Sequence, residues 1–402
     1  MQAGTDVSGA GPAYSLQCSR IGGFEVEFTR DLHGRLRSLE PLRRALVVMS
    51  PTVRRIYAEQ IQQTLRDHDI EFSLCVLPMG ERRKTLKTVG RICTAAARLH
   101  LGRRDTFIAV GGGVCSDLVG MAASMYRRGI AHVRIPTTLI GQVDAGIGIK
   151  GGINFQHQKN LLGCFHPPSG VIVDTAFLRT LEAVHIRQGI AEILKMALIV
   201  DRSLFDALER HGVTLIESRF QCPPAYGRWI VKRSIDLMLG QLQQNPYENL
   251  TLQRLVDMGH TFSPALEAAA AFRLSHGEAV AVDMALTCMI AEVLGLLRRG
   301  EAELFVSLLW RLGIPAYSTL LTVDLCRTAA RAATAHRGGK LHLVVPTRIG
   351  AAQFAEIEAV TEPVLLTALA RLRELLADLS ATRSERFTGR AAQGMTDASP
   401  IL

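Results

Sequence analysis

The chain has 402 residues, a formal net charge of +9 and 48% hydrophobic residues, enough length for two domains and too much apolar content for a disordered chain. The arginines behind that charge are scattered and carry no interleaved aromatics. This argues against a nucleic-acid groove and leaves anionic small molecules as the simpler partners. Eight cysteines without a Cys-x-x-Cys pair, no apolar leader and no apolar run of membrane-spanning length point to reduced thiols in a cytoplasmic protein with no membrane partner.

In chain order, residues 1–20 are rich in Gly, Ser and Ala and, like the polar stretch 381–402, read as disordered ends. The apolar run Ala45–Met49, then Ser50-Pro51 and a helical pattern over Ile56–Leu65, forms a strand-loop-helix unit, which a strand over Phe72–Leu77 closes as βαβ. A helix over Thr85–Leu99 leads to a strand, Phe107–Val110, that stops at Gly111-Gly112-Gly113. A helix over Leu118–Tyr126 and strands over His132–Ile135 and Val171–Val173 follow. Such alternation predicts a mostly parallel sheet with helices on its faces. Beyond Thr180 helical patterns dominate (Ile186–Val200, Tyr226–Gln244, Gly277–Leu297), interrupted by one late apolar run, Leu341–Val345. The expected fold is an α/β, Rossmann-like domain over 21–180 followed by a mostly α-helical domain over 181–380. The cleft between them is the natural ligand site.

Lysine is scarce: only Lys84, Lys87, Lys150, Lys159, Lys195, Lys232 and Lys340 occur among 46 basic residues. A chain that otherwise carries its charge on arginine has reason to keep lysine where a compact, mobile ammonium does what a guanidinium fork cannot. Three of them fall in glycine-, asparagine- or acid-containing motifs: Lys150 in Asp144-Ala-Gly-Ile-Gly-Ile-Lys-Gly-Gly-Ile-Asn154, Lys159 before Asn160, and Lys195 in Ala191-Glu-Ile-Leu-Lys195. This segment lies between the two expected domains, and its two lysines can converge on a phosphate. The triple glycine after a buried strand lets backbone amides approach a diphosphate at a helix N-terminus, although a tight turn alone would also use it. Two further strand-end loops, Pro78-Met-Gly-Glu81 and Pro136-Thr137-Thr138, favour a dinucleotide. Gly259-His260 and Ser275-His276-Gly277, with Glu192 upstream, offer two imidazoles and a carboxylate. That set would leave open positions on a catalytic zinc-type ion, while a histidine beside a glycine can equally be a cap or a core residue.

Taken in order, Pro-x-Gly-Glu-x-x-Lys, Gly-Gly-Gly-Val-x-x-Asp, Pro-Thr-Thr-Leu, Asp-Ala-Gly-Ile-Gly-x-Lys, Lys-Asn, Ala-Glu-Ile-x-Lys, Gly-His-Thr-Phe and His-Gly-Glu-Ala-Val resemble the sugar phosphate cyclases, the family of dehydroquinate synthase and 2-epi-5-epi-valiolone synthase. The match runs from Pro78 to Glu278 and more weakly out to Ala45 and Gly350. The resemblance implies a homodimeric enzyme that acts on a phosphorylated sugar with NAD and one divalent metal, zinc or cobalt. By the same resemblance Glu192, His260 and His276 are the metal ligands, and Glu81, Lys84, Gly112, Gly113, Asp117, Thr137 and Thr138 hold NAD. It gives catalysis to Asp144, Lys150, Lys159, Asn160 and Lys195, with Arg128 reaching the phosphate of the partner subunit.

Departures from the dehydroquinate synthase pattern narrow the substrate. That enzyme binds a substrate carboxylate with a Lys and an Arg shortly before the Gly-His-Thr motif, whereas Ser234–Gln253 contains neither and Arg254 follows out of register. A buried carboxylate without a cation is strongly disfavoured. Asp257, Pro264 and His336 instead look like the pattern of the branch acting on sedoheptulose 7-phosphate, whose uncharged hydroxymethyl end suits an acceptor such as Asp257. Ser50 stands where the family ends its first strand in Asp, which removes the expected ribose contact. The implied activity is closure of sedoheptulose 7-phosphate to a C7 cyclitol with loss of phosphate. Its rivals are dehydroquinate synthase, a metal-dependent polyol dehydrogenase and a non-enzymatic sensor.

Overall fold

The computed structural model describes residues 24–29, 42–156, 158–271 and 273–393, with their side chains except those of 336 and 382–393. The stretch 1–20, expected to be disordered, lies outside the described residues. The first half holds β1 (Glu25–Phe28), β2 (Arg44–Met49), β3 (Glu71–Val76), β4 (Thr106–Gly111), β5 (Ala131–Pro136), an antiparallel hairpin of β6 (Lys150–Phe155) and β7 (Gln158–Phe165), and β8 (Gly170–Val173). Apart from the hairpin, the strands form one parallel sheet in the order β1-β8-β5-β4-β2-β3.

Helices α1 (Pro51–Asp67), α2 (Leu86–Arg98) and α3 (Gly113–Met125) cover this sheet. The two-residue period of a strand divides its side chains between the faces. Val47, Met49, Ile108 and Val110 pack with Tyr57, Ile61 and Leu65 of α1. Leu46, Val48, Phe107 and Ala109 pack with Val89 and Ile92 of α2 and Leu118 and Ala122 of α3. Each fully buried side chain of this kind contributes about 1.5–3 kcal/mol. From β2 the chain steps outward to β3 and returns on the other side as β4, so the ends of β2 and β4 flank a topological switch point. Ser50 sits there and caps α1, its Oγ accepting from the Val53 amide at 3.1 Å.

Two expectations need correction. Helix α3 begins at Gly113, ahead of the expected Leu118, so the triple glycine runs into its first turn. The glycine-rich segment from Lys150 to Asn160 is not a connection between domains. It is the β6–β7 hairpin, packed on α3 within the first half before β8 rejoins the sheet. Glycine content makes that segment read as loop, whereas the ladder between its strands and its support on a helix come from tertiary pairing.

The second half contains α4 (Ala183–Ile199), α5 (Arg202–Glu217), α6 (Pro224–Leu242), α7 (Ser263–Ala269), α8 (His276–Val293), α9 (Glu301–Arg311) and α10 (Val323–His336), then the antiparallel pair β9 (His342–Arg348) and β10 (Ala351–Glu356), and α11 (Glu362–Gln393). Helix α8 is buried continuously from Ala279 to Ala291, at the centre of the helical core rather than on its surface. Helix α11 packs on α8 and continues past residue 381, through a stretch whose alanine, arginine and glutamate favour helix despite its polarity. Among the described residues no helix is long and apolar enough to cross a membrane.

Candidate active site

A cleft of about 1060 Å³ opens between α3 and the β6–β7 hairpin on one side and the helical half on the other. At its base three chain segments converge. Glu192 lies in the middle of α4, His276 opens α8 and His260 sits in the loop before α7. One donor atom from each lies within 4.8 Å of the others. Two glycines permit this approach. A Cβ on Gly277 would stand 2.4 Å from the backbone oxygen of Gln188, so only glycine lets the start of α8 rest against α4. Gly259 has φ +75°, and a side chain there would also meet Met284 and Val280 at 2.9 Å.

Each histidine is oriented through its second nitrogen. His260 Nδ1 lies 3.0 Å from the Met258 carbonyl, and His276 Nδ1 lies 3.0 Å from Glu267 Oε1. With those nitrogens donating, both rings present Nε2, and His276 Nε2 stands 3.3 Å from Glu192 Oε1. Lys195 Nζ closes the arrangement at 2.6 Å from Glu192 Oε2 and 3.8 Å from Asp144 Oδ1. Burial alone would raise the Glu192 carboxyl, but Lys195 and then the imidazoles hold it well below the ordinary carboxylate range. Burial and then Lys195 keep His260 below its ordinary value, toward the neutral form a ligand needs. A buried carboxylate with two imidazoles, each backed by a second acceptor, fits one zinc-type ion with positions left open.

The wall above carries the ammonium groups. Lys84 Nζ pairs with Asp117 Oδ2 at 2.5 Å and donates to Asn160 Oδ1 at 2.6 Å. Lys159 pairs with Glu267 and lies 3.9 Å from Glu81 Oε1, which accepts from Asn154 Nδ2 at 2.8 Å. Lys150, at the exposed end of β6, pairs with Glu248. Asp117, Gly113 and Asp144 also border the cleft. Helix α3 starts behind Gly112 with no side chain capping it, at the switch point, which fits a diphosphate on its amides. Thr137 and Thr138 stabilise the neighbouring loops: the Thr137 amide donates to Gly111 at 2.9 Å, and Thr138 Oγ1 accepts from the Gly141 amide at 3.2 Å.

The four expected substrate contacts differ in where the fold puts them. Asp257 borders the cleft but is not a free acceptor, because Arg254 and Arg337 already occupy its two oxygens at 2.5 and 2.9 Å. Pro264 is exposed in the first turn of α7, a position that suits proline because no amide is needed there. Arg128 is exposed beyond the end of α3, away from the cleft. His336 ends α10, and its side chain is outside the described part.

Glu267, Glu248 and Arg337 were missed from the sequence. Glu267 carried a signal in hindsight, being a lone acid in an alanine-rich helix between the two histidines. The other two lie in segments with no motif.

A parallel switch-point sheet joined to helices that present one carboxylate and two imidazoles defines a dinucleotide- and metal-dependent enzyme class. Family models agree: residues 74–188 match the 3-dehydroquinate synthase N-terminal domain and residues 189–333 its C-terminal domain. The chain is 45% identical over 338 residues to a 2-epi-5-epi-valiolone synthase of Streptomyces hygroscopicus subsp. jinggangensis, covering 82% of this chain and 80% of that one. It is 45% identical over 332 residues to another from Streptomyces glaucescens, covering 81% and 84%. The structure of ValA, the 2-epi-5-epi-valiolone synthase of S. hygroscopicus subsp. jinggangensis 5008 with NAD+ and Zn2+ bound, superposes with a TM-score of 0.85 at 42% identity, covering 90% of this chain and 99% of that one. The chain belongs to the 3-dehydroquinate synthase family of sugar phosphate cyclases.

Proposed function

We propose that the protein closes sedoheptulose 7-phosphate to 2-epi-5-epi-valiolone or an epimer of it, with release of phosphate. The observation that carries this reading is the meeting of Glu192, His260 and His276 at the base of a cleft walled by Lys84, Lys150, Lys159 and Lys195. The likeness to valiolone synthases supports it, as does their NAD+- and Zn2+-bound representative. When bound, NAD and a divalent metal supply reversible hydride transfer and polarisation of a substrate hydroxyl.

Glu192, His260 and His276 hold the metal, and Gly112, Gly113, Asp117, Lys84 and Glu81, with Thr137 and Thr138 behind them, form the NAD side. Lys150, Lys159 and Asn160 orient the phosphate and offset its charge. Glu267 and Glu248 hold the two ammoniums in place before substrate arrives. Lys195, fixed between Glu192 and Asp144, orders hydroxyls beside the metal. Oxidation acidifies the neighbouring C–H, phosphate leaves with that proton as its own base, and reduction, ring opening and aldol closure complete a cycle with no net redox change. The same reading takes the protein as a homodimer in which Arg128 serves the cleft of the partner subunit.

Incubation of zinc-loaded protein with sedoheptulose 7-phosphate and catalytic NAD+ is expected to yield one phosphate per cyclitol and no accumulated NADH. Stoichiometric NADH would identify a polyol dehydrogenase instead. Turnover restricted to the carboxylated heptulosonate phosphate would identify a dehydroquinate synthase.

A further inference from the structure

Helix α8 carries no charged or hydroxyl side chain along its buried length from Ala279 to Ala291 except Asp283 and Thr287, each 1% exposed. A buried carboxylate is costly unless hydrogen bonds satisfy it, and this one is satisfied by the loop that carries His260. Asp283 Oδ2 accepts from the Phe262 amide at 2.5 Å and from the Ser263 amide at 2.8 Å, and Oδ1 accepts from Thr287 Oγ1 at 3.1 Å. Those two amides open α7, which has no side-chain cap of its own and no acid in its first turn, so its cap comes from a different helix. Ser263 Oγ in turn donates to the Gly259 carbonyl at 2.7 Å, which closes the segment around His260. Val280 and Met284, which a side chain on Gly259 would strike, share a face of α8 with Asp283, so the loop lies directly on that face. Burial pushes the Asp283 carboxyl up to about 6, and the Ser263 and Phe262 amides keep it from rising further, so near neutral pH it is ionised and accepts these bonds.

The same helix begins with His276, and Asp283 follows two turns later, about 10 Å along the axis. One rigid element therefore carries one histidine on its own backbone and grips the segment of the other by two hydrogen bonds. We propose that Asp283 is a positioning residue of the metal centre, which references His260 to the helix of His276 and so sets the separation of their ligating nitrogens. It acts through the loop and not on the ion, since its oxygens already face two amides and a hydroxyl. The Met258 carbonyl turns the His260 ring, whereas Asp283 fixes where the backbone that bears the ring stands. A group that orients a metal ligand in this way contributes about 10–100-fold to affinity. The inference deepens the proposed function, on which it rests for the presence of the metal.

The test loads full-length protein with zinc or cobalt. Competition with a chromogenic chelator reads zinc affinity, and the visible absorption bands of bound cobalt read ligand geometry. Asp283→Ala is expected to weaken zinc binding about tenfold or more and to change the cobalt bands. Asp283→Asn, whose side-chain oxygen can still receive both amides, is expected to recover affinity to within about threefold of the unmodified protein. Ile290→Ala, which removes buried volume from the same helix two turns further on, is expected to lower the unfolding midpoint and leave both metal readouts unchanged. If Asp283→Ala does not fold, Asp283→Ser, whose hydroxyl is too short to span both amides, takes its place. Unchanged zinc affinity on loss of the carboxylate, no recovery in Asp283→Asn, or an equal loss in Ile290→Ala would overturn the proposal. Failure of the unmodified protein to bind either metal would reject the metal centre of the proposed function, and this inference with it. Metal bound equally well by the unmodified protein and every variant would reject the role of Asp283 alone.

Discussion

Two pairs of histidines in this molecule have nearly the same spacing and opposite characters. In the helical half the rings of His260 and His276 have centroids 5.3 Å apart, and in the sheet half those of His132 and His166 stack at 5.2 Å. Around the first pair stand Glu192, Glu267 and a backbone acceptor, each holding or facing a ring nitrogen. Beside the second stands the buried guanidinium of Arg134, whose hydrogen bonds go to the carbonyls of Gly146, Gly148 and Lys150. Both His132 nitrogens are buried with no hydrogen-bond partner among the described residues, and burial, then Arg134, then His166 hold it well below the ordinary histidine value. Proximity of imidazoles therefore does not make a metal site. What sets the first pair apart is the buried carboxylate, which can attract a cation and whose surroundings set which nitrogen faces it.

Removing that carboxylate should have the largest effect. Glu192→Gln is expected to abolish stoichiometric zinc binding in equilibrium dialysis. It is also expected to lower unfolding free energy by about 3–5 kcal/mol, because the nearly inaccessible Lys195 loses its closest counter-charge. Retention of zinc by this variant would put the ion elsewhere. A smaller effect is expected at the second carboxylate. Glu267→Gln still permits a hydrogen bond to His276 but removes the charge behind it, and should weaken zinc affinity about 10–100-fold, read by competition with a chromogenic chelator. An unchanged affinity would reduce Glu267 to a partner of Lys159 alone.

The other histidine pair should leave zinc content untouched and appear only in pH dependence. A histidine held neutral on folding binds its proton more readily in the unfolded chain, so stability falls as pH drops below about 6.5, by up to about 1.4 kcal/mol per pH unit. His132→Phe should remove that component, flattening the fall in denaturant midpoint between pH 6.5 and 5 relative to the unmodified protein. Parallel slopes would show that His132 is already protonated in the fold.

How far these regions could be read from the sequence differs for physical reasons. Strands β2, β4 and β5 were evident because short apolar runs bounded by turn residues can satisfy their surroundings only inside a sheet. Helices α4, α6 and α8 were evident from their periodicity and length. The β6–β7 hairpin was not, since Gly151, Gly152 and Gly163 carry no side-chain pattern. The metal trio came from residue type and motif order, but spacing in sequence could not show that His260 and Glu192 meet. The ion pair of Asp257 with Arg337 was not legible, because Arg337 lies far along the chain.

Part of the local information was thus legible in the sequence: the apolar strands and the long periodic helices, which residues can ligate a metal, and where lysine was retained in an arginine-rich chain. Tertiary structure alone decided which charges neutralise one another. An ion pair depends on the distance between side chains from different elements, and here close helix packing at Gly277 and the return of the chain after α10 set those distances.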